Sequence, residues 1–146
     1  MIIPEECIPL LKEQRTSLQH VDEYTYELAN TFDSFRNNLP KNAKSILDIG
    51  SGMSGIDAFL SKHYNHSINI TLADKHGVSE KILSGFSING DSFSYYNDFE
   101  LALKLLETNG VPRHNVTICN LLEQEFPKTS YDIVISLLSW GFHYPI

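Results

Sequence analysis

The stretch Ser45-Ile46-Leu47-Asp48-Ile49-Gly50-Ser51-Gly52-Met53-Ser54-Gly55 decides the fold. An apolar run takes in one acidic residue and then meets Gly50, Gly52 and Gly55 in quick succession. This reads as a strand, a tight turn and the start of a helix, an arrangement that lets backbone approach a ligand closely. The spacing Gly50-x-Gly52-x-x-Gly55 is shared by several nucleotide-binding classes and specifies little by itself. Asp48 sharpens it, because it sets a carboxylate at the strand's end, facing the ligand crevice.

The flanking sequence repeats the pattern. A second strand, Ser67–Ala73, alternates Ile68, Ile70 and Leu72 with Asn69 and Thr71 and ends at Asp74. A third runs Val116–Cys119 and a fourth Asp132–Leu138. A helix opening near Gly55 shows Ile56, Phe59 and Leu60 on one face, with Ser54-x-x-Asp57 similar to a capping box. Another, Asp98–Thr108, buries Phe99, Ala102, Leu103 and Leu106 and stops at Asn109-Gly110. Upstream, Val21, Tyr24, Leu28, Phe32 and Phe35 recur at spacings of three and four. They predict an amphipathic helix over Glu13–Asn37, broken once and ended by Leu39-Pro40. Strands alternating with helices imply an open α/β fold with a parallel sheet, whose ligands sit beyond the carboxyl ends of the strands. Asp48, Asp74, Asn120 and Ser136 all fall there. The long connection Lys75–Asn97 reads either as a lid over the crevice or as a short helix with a packed surface loop.

The chain's 146 residues suit one domain: a helical segment over 1–40 packed on an α/β unit over 41–146. A net charge of −7, with no Lys/Arg cluster, argues against a nucleic-acid surface. Cys7 and Cys119 are too far apart in sequence to suggest a disulfide scaffold or a zinc site, and Cys119 reads as a buried thiol. The opening Met1-Ile2-Ile3-Pro4-Glu5-Glu6 lacks the basic and apolar regions of a secretory leader, and no apolar run reaches membrane-spanning length. The expectation is a reducing, cytoplasmic setting with no membrane partner. His63-x-x-His66 reads as a helix end with two solvated histidines, since no acidic or cysteine cluster completes a metal shell.

From Ser45 to Ser139 these residues resemble the class I S-adenosylmethionine (SAM)-dependent methyltransferases. Ile46-Leu47-Asp48-Ile49-Gly50-Ser51-Gly52 is similar to that family's first motif and Leu72-Ala73-Asp74 to its second. Cys119-Asn120-Leu121-Leu122 is similar to the third, and Tyr131-Asp132-Ile133-Val134-Ile135-Ser136 to the fourth. The resemblance implies a Rossmann-like, mainly parallel sheet of order 3-2-1-4 with flanking helices and SAM as cofactor. It implies a cofactor site built from Asp48, Gly50, Ser51, Gly52, Asp74, Lys75, Asn120, Leu121 and Ser136. Asp48 would attract the ligand's ammonium, Asp74 would accept from a vicinal diol, and Asn120 would meet the adenine amine. The chain departs from the pattern where Ser54 stands at the usual third glycine and Asn120 at a common Asp.

The family sheet has seven strands, whereas this sequence ends at Ile146, just after the fourth. The expectation is a truncated domain whose fourth strand is an edge, inviting a homodimer through Ile133, Val134 and Ile135. Methyl transfer to a small-molecule acceptor is the expected activity. His143 is the candidate base, and Trp140 and Tyr144 would stack on the acceptor; the alternative for these residues is aromatic packing against the N-terminal helices. Two other readings stand beside it: a non-catalytic Rossmann-like remnant with weak or no SAM binding, and an NAD-type dinucleotide-binding module. Gly55 and Asp74 lie 19 positions apart, which suits the dinucleotide fingerprint too. Charge opposes it, because Asp48 and Asp57 flank the spot a pyrophosphate would take and no Lys or Arg occurs between Ser45 and Ser61.

Overall fold

A computed structural model describes residues 1–14, 21–83 and 92–137. The elements in chain order are α1 (Ile8–Gln14), α2 (Val21–Phe35), β1 (Ser45–Ile49), α3 (Gly55–His63), β2 (Asn69–Asp74), β3 (Gly77–Leu83), β4 (Ser92–Asn97), α4 (Phe99–Thr108), β5 (Val116–Asn120) and β6 (Ile133–Ile135). Four strands form a parallel sheet in the order β5-β2-β1-β6, which is 3-2-1-4 counted along the chain. With its flanking helices this is an open, Rossmann-like α/β fold.

Strand alternation divides the sheet into two faces. Ile46, Ile70, Leu72 and Ile133 join the main core, where Leu60, Leu105 and Leu106 are completely buried. Helix α3 packs against both α2 and α4 on this side. The intervening residues Leu47, Ile49, Ala73 and Cys119 make a smaller cluster. Period-two alternation therefore places Asp48 with Ile46, and Asp74 with Ile70 and Leu72, toward α3. Both carboxyls are consequently removed from water.

The N-terminal segment belongs to the same core. Cys7, Leu11, Tyr24, Leu28 and Phe32 are buried in it. Asn109 clasps the chain's start, its Oδ1 accepting from Ile2 N at 2.7 Å and its Nδ2 donating to Ile2 O at 2.6 Å. The break expected in the first helix separates α1 from α2, and residues 15–20 between them lie outside the described residues.

Four expectations need correction. Within 75–97 the described residues form a hairpin, not a short helix with a packed surface loop: β3 and β4 pair antiparallel from Gly77↔Asn97 to Leu83↔Ser92, and residues 84–91 lie outside the described residues. Its aromatic and β-branched residues favour extended backbone. Strand β2 starts two residues later than expected, because Asn65 and His66 take left-handed backbone and prolong the preceding turn. His66 is half-buried and shares a 3.1 Å hydrogen bond with Ser61 Oγ, so it is not a simply solvated histidine. Strand β6 is shorter than expected. Asp132 is drawn off to cap the start of β1, and Ser136 Oγ donates to Ile49 O at 2.9 Å. Among the described residues no helix is long and apolar enough to cross a membrane.

Candidate functional site

The sheet's strand order reverses at β1, with β2 and β5 on one side and β6 on the other. In open α/β sheets the crevice beyond such a reversal is where ligands bind. Here the chain leaves β1 through Gly50 (φ 72°) and Gly52 (φ 52°), left-handed conformations that glycine adopts without strain. Gly50 N donates to Ala73 O at 2.8 Å, and Ser54 N to Ser51 O at 2.8 Å, closing the turn. A Cβ on Gly52 would meet nothing within 4 Å, so space lies open beside that backbone.

A hollow of about 120 Å³ lies at this point. Asp48, Gly50, Ser51 and Gly52 line it from below, Met53, Gly55 and Ile56 from α3's start, and Leu137 from beyond β6. Tyr24 and Leu28 of α2 complete the wall. They press so closely on Gly55 that a Cβ there would collide with the Leu28 methyl and the Tyr24 hydroxyl. Sequence periodicity marked Tyr24 and Leu28 as core, and the small residue opposite them was the available signal that they cover the glycine turn.

The other residues expected at the site serve the chain's own backbone. Asp74 Oδ2 accepts from Gly52 N at 2.8 Å and its Oδ1 from Lys75 N at 2.8 Å, so this buried carboxyl ties β2 to the glycine turn. Asn120 Oδ1 accepts from His76 N and Leu122 N, both at 3.2 Å. Leu121 N donates to Asp74 O at 2.8 Å. Thus Asp74, Lys75, Asn120 and Leu121 gather at the ends of β2 and β5, and Ser136 at the end of β6. None of these five lines the hollow. His143, Trp140 and Tyr144 lie outside the described residues.

Asp57 was expected in a capping box and is not in one. Ser54 precedes α3 in left-handed backbone (φ 57°) and its side chain makes no cap bond, whereas a capping serine needs extended backbone. Asp57 is fully buried, and neither of its oxygens has a hydrogen-bond donor. Its carboxyl faces that of Asp48. Burial raises Asp48 to about 7; the contact with Asp57 lowers it and the charge on Asp74 raises it. Burial pushes Asp57 well above the carboxylate range, reinforced by the charge on Asp48 and by the hydrogen bond between them. The helix dipole at α3's first turn opposes this, but it contributes about 0.3–1 kcal/mol. Burying an uncompensated carboxylate costs several kcal/mol, so burial outweighs the dipole and favours the protonated form of Asp57. The arrangement is a glycine turn over a buried acid pair, with room for a positively charged group to compensate Asp48.

A larger hollow of about 370 Å³ lies between the N-terminus and the ends of α3 and α4, lined by Met1, Ile2, Phe59, Lys62, His66 and Asn109 among others. It shares no residue with the glycine turn. Comparison with family models, curated proteins and solved structures finds no match to this chain.

Proposed function

We propose that the chain is a SAM-dependent methyltransferase-like domain acting on a small-molecule acceptor. The observation that carries this reading is the acid pair Asp48–Asp57 beneath the Gly50–Gly52 turn, at the point where strand order reverses. A ligand carrying a sulfonium and an ammonium gains from a carboxylate at Asp48 once that group ionises. A dinucleotide pyrophosphate at the same turn would meet the Asp48 carboxyl and no Lys or Arg between residues 45 and 61, which disfavours the NAD-type module. Asp48 beside the Gly50–Gly52 turn would hold the ligand's ammonium, and bound SAM would supply an activated methyl group to the acceptor's lone pair, leaving as a thioether. The acceptor then loses a proton, for which His143 is the candidate base. Positioning supplies much of the rate, since the donor is already activated.

The size of the hollow favours a second reading, the non-catalytic remnant. At about 120 Å³ it falls short of the roughly 300 Å³ at which ligand pockets begin. Asp74 and Asn120 are also engaged by backbone amides. Calorimetric titration with SAM and NAD separates the readings. Micromolar SAM binding that is lost in Asp48→Asn, with no heat from NAD, supports the methyltransferase-like domain. Silence with both ligands supports the remnant, and NAD binding alone overturns the assignment.

A further inference from the structure

The head of α3 carries buried polar side chains that no donor group of the fold satisfies. Ser54 Oγ has no hydrogen-bond partner, neither Asp57 oxygen accepts from a donor group, and both residues are at most 1% exposed. Two ionised carboxylates cannot hydrogen-bond to each other; the Asp48–Asp57 contact requires a proton between them. Asp74, on β2, adds negative charge that acts on Asp48. Tyr24 of α2 lines the same hollow as Asp48. Among the described residues no lysine, arginine or histidine acts on either carboxyl. The site thus holds, among the described residues, a proton donor and an acceptor with no counter-ion.

We propose that Asp57 stays protonated as a buried donor to Asp48, so that Asp48 ionises against a positively charged ligand and ligand binding expels one proton. The proposal rests on the SAM reading for the identity of that ligand. Asp57 is a positioning residue here, because it acts through Asp48. Ligands bearing an ammonium are favoured over neutral analogues, and their affinity is linked to pH. Below the pH at which Asp48 ionises, affinity rises up to about tenfold per pH unit; above it, affinity levels off.

S-adenosylhomocysteine, which keeps the ammonium, and neutral 5′-methylthioadenosine are the probes. Calorimetry in buffers of different ionisation heat, from pH 5.5 to 8, reads proton release directly. The expected result is release of about one proton with S-adenosylhomocysteine at the acid end and a pH-independent affinity for 5′-methylthioadenosine. Asp57→Asn copies the protonated carboxyl and keeps the pH slope. Asp57→Ala removes the donor and moves the slope to higher pH, and Asp48→Asn abolishes it. Tight S-adenosylhomocysteine binding without proton release overturns the proposal, as does loss of the slope in Asp57→Asn. If neither probe binds, the SAM reading and the coupling to it both fall, and the free protein decides the rest. An infrared band of a neutral carboxyl at pH 7.5 that disappears in Asp57→Asn upholds the donor, and its absence from the wild type overturns it.

Discussion

At the amino ends of the strands, Asp132 accepts from Lys44 N at 2.7 Å, Ser45 N at 3.1 Å and Ser45 Oγ at 3.2 Å, close to water. At the carboxyl ends, Asp57 is fully buried and neither oxygen accepts from a donor group. The first arrangement holds β6 against β1, and hydrogen bonding from the Lys44 amide keeps the Asp132 carboxyl below the usual range. The second meets no backbone donor, and burial raises its carboxyl instead. Asp74 stands between these extremes: it is buried like Asp57, yet both oxygens accept backbone amides. The lesson is that the same side chain works as a structural brace where donors meet it and as a poised chemical group where they do not. Groups of the second kind concentrate at functional sites.

The widest gap between the two ends is expected from Asp57→Asn. The unfolded chain releases an aspartate proton near pH 3.9, whereas folded Asp57 retains it. Folding therefore takes up a proton above that pH, and this group's contribution to stability falls as pH rises from about 4 toward the folded value. Asn removes that dependence. Chemical denaturation should find the variant more stable than wild type at pH 7.5, with the gap closing toward pH 4. A gap of constant size across that range would contradict the buried proton.

Asp74→Ala is expected to cost about 2 kcal/mol, because the Gly52 and Lys75 amides lose a charged acceptor. Hydrogen exchange at those two amides should accelerate; unchanged exchange would deny Asp74 its bracing role. Asp132→Asn should have a smaller effect of opposite pH sense. Its carboxylate's stabilisation is present above the unfolded value near pH 3.9 and lost as pH falls through the lowered folded value. Denaturation midpoints of variant and wild type should differ at pH 7 and converge by pH 3. Val134, on β6, is 55% exposed, and Val134→Lys should leave stability within about 0.5 kcal/mol. If β6 pairs with a second copy, the lysine shifts light scattering toward monomer, and an unchanged oligomeric state in wild type and variant removes that pairing.

Legibility in the sequence followed how local each signal was. Strand β1 and helix α3 begin where the apolar run and the glycines place them, because turn chemistry and side-chain period agree there. The hairpin was obscured because alternation in Gly77–Leu83 is interrupted, and the pairing register shifts between Ser79 and Ile82. Asp48 could be placed at a strand's tip from sequence. The role of Asp57 could not, because it depends on Ser54 adopting left-handed backbone and leaving the acid uncapped. The engagement of Asp74 with Gly52 joins residues 22 positions apart, beyond the reach of any local pattern.

The most direct measurement is a carbon-13 NMR titration of the aspartate side-chain carboxyls in the ligand-free protein. The Asp57 resonance is expected to stay at its protonated position well above the pH at which an exposed aspartate ionises, while that of Asp132 titrates below pH 4. An Asp57 carboxyl that ionises near pH 4 would contradict the account.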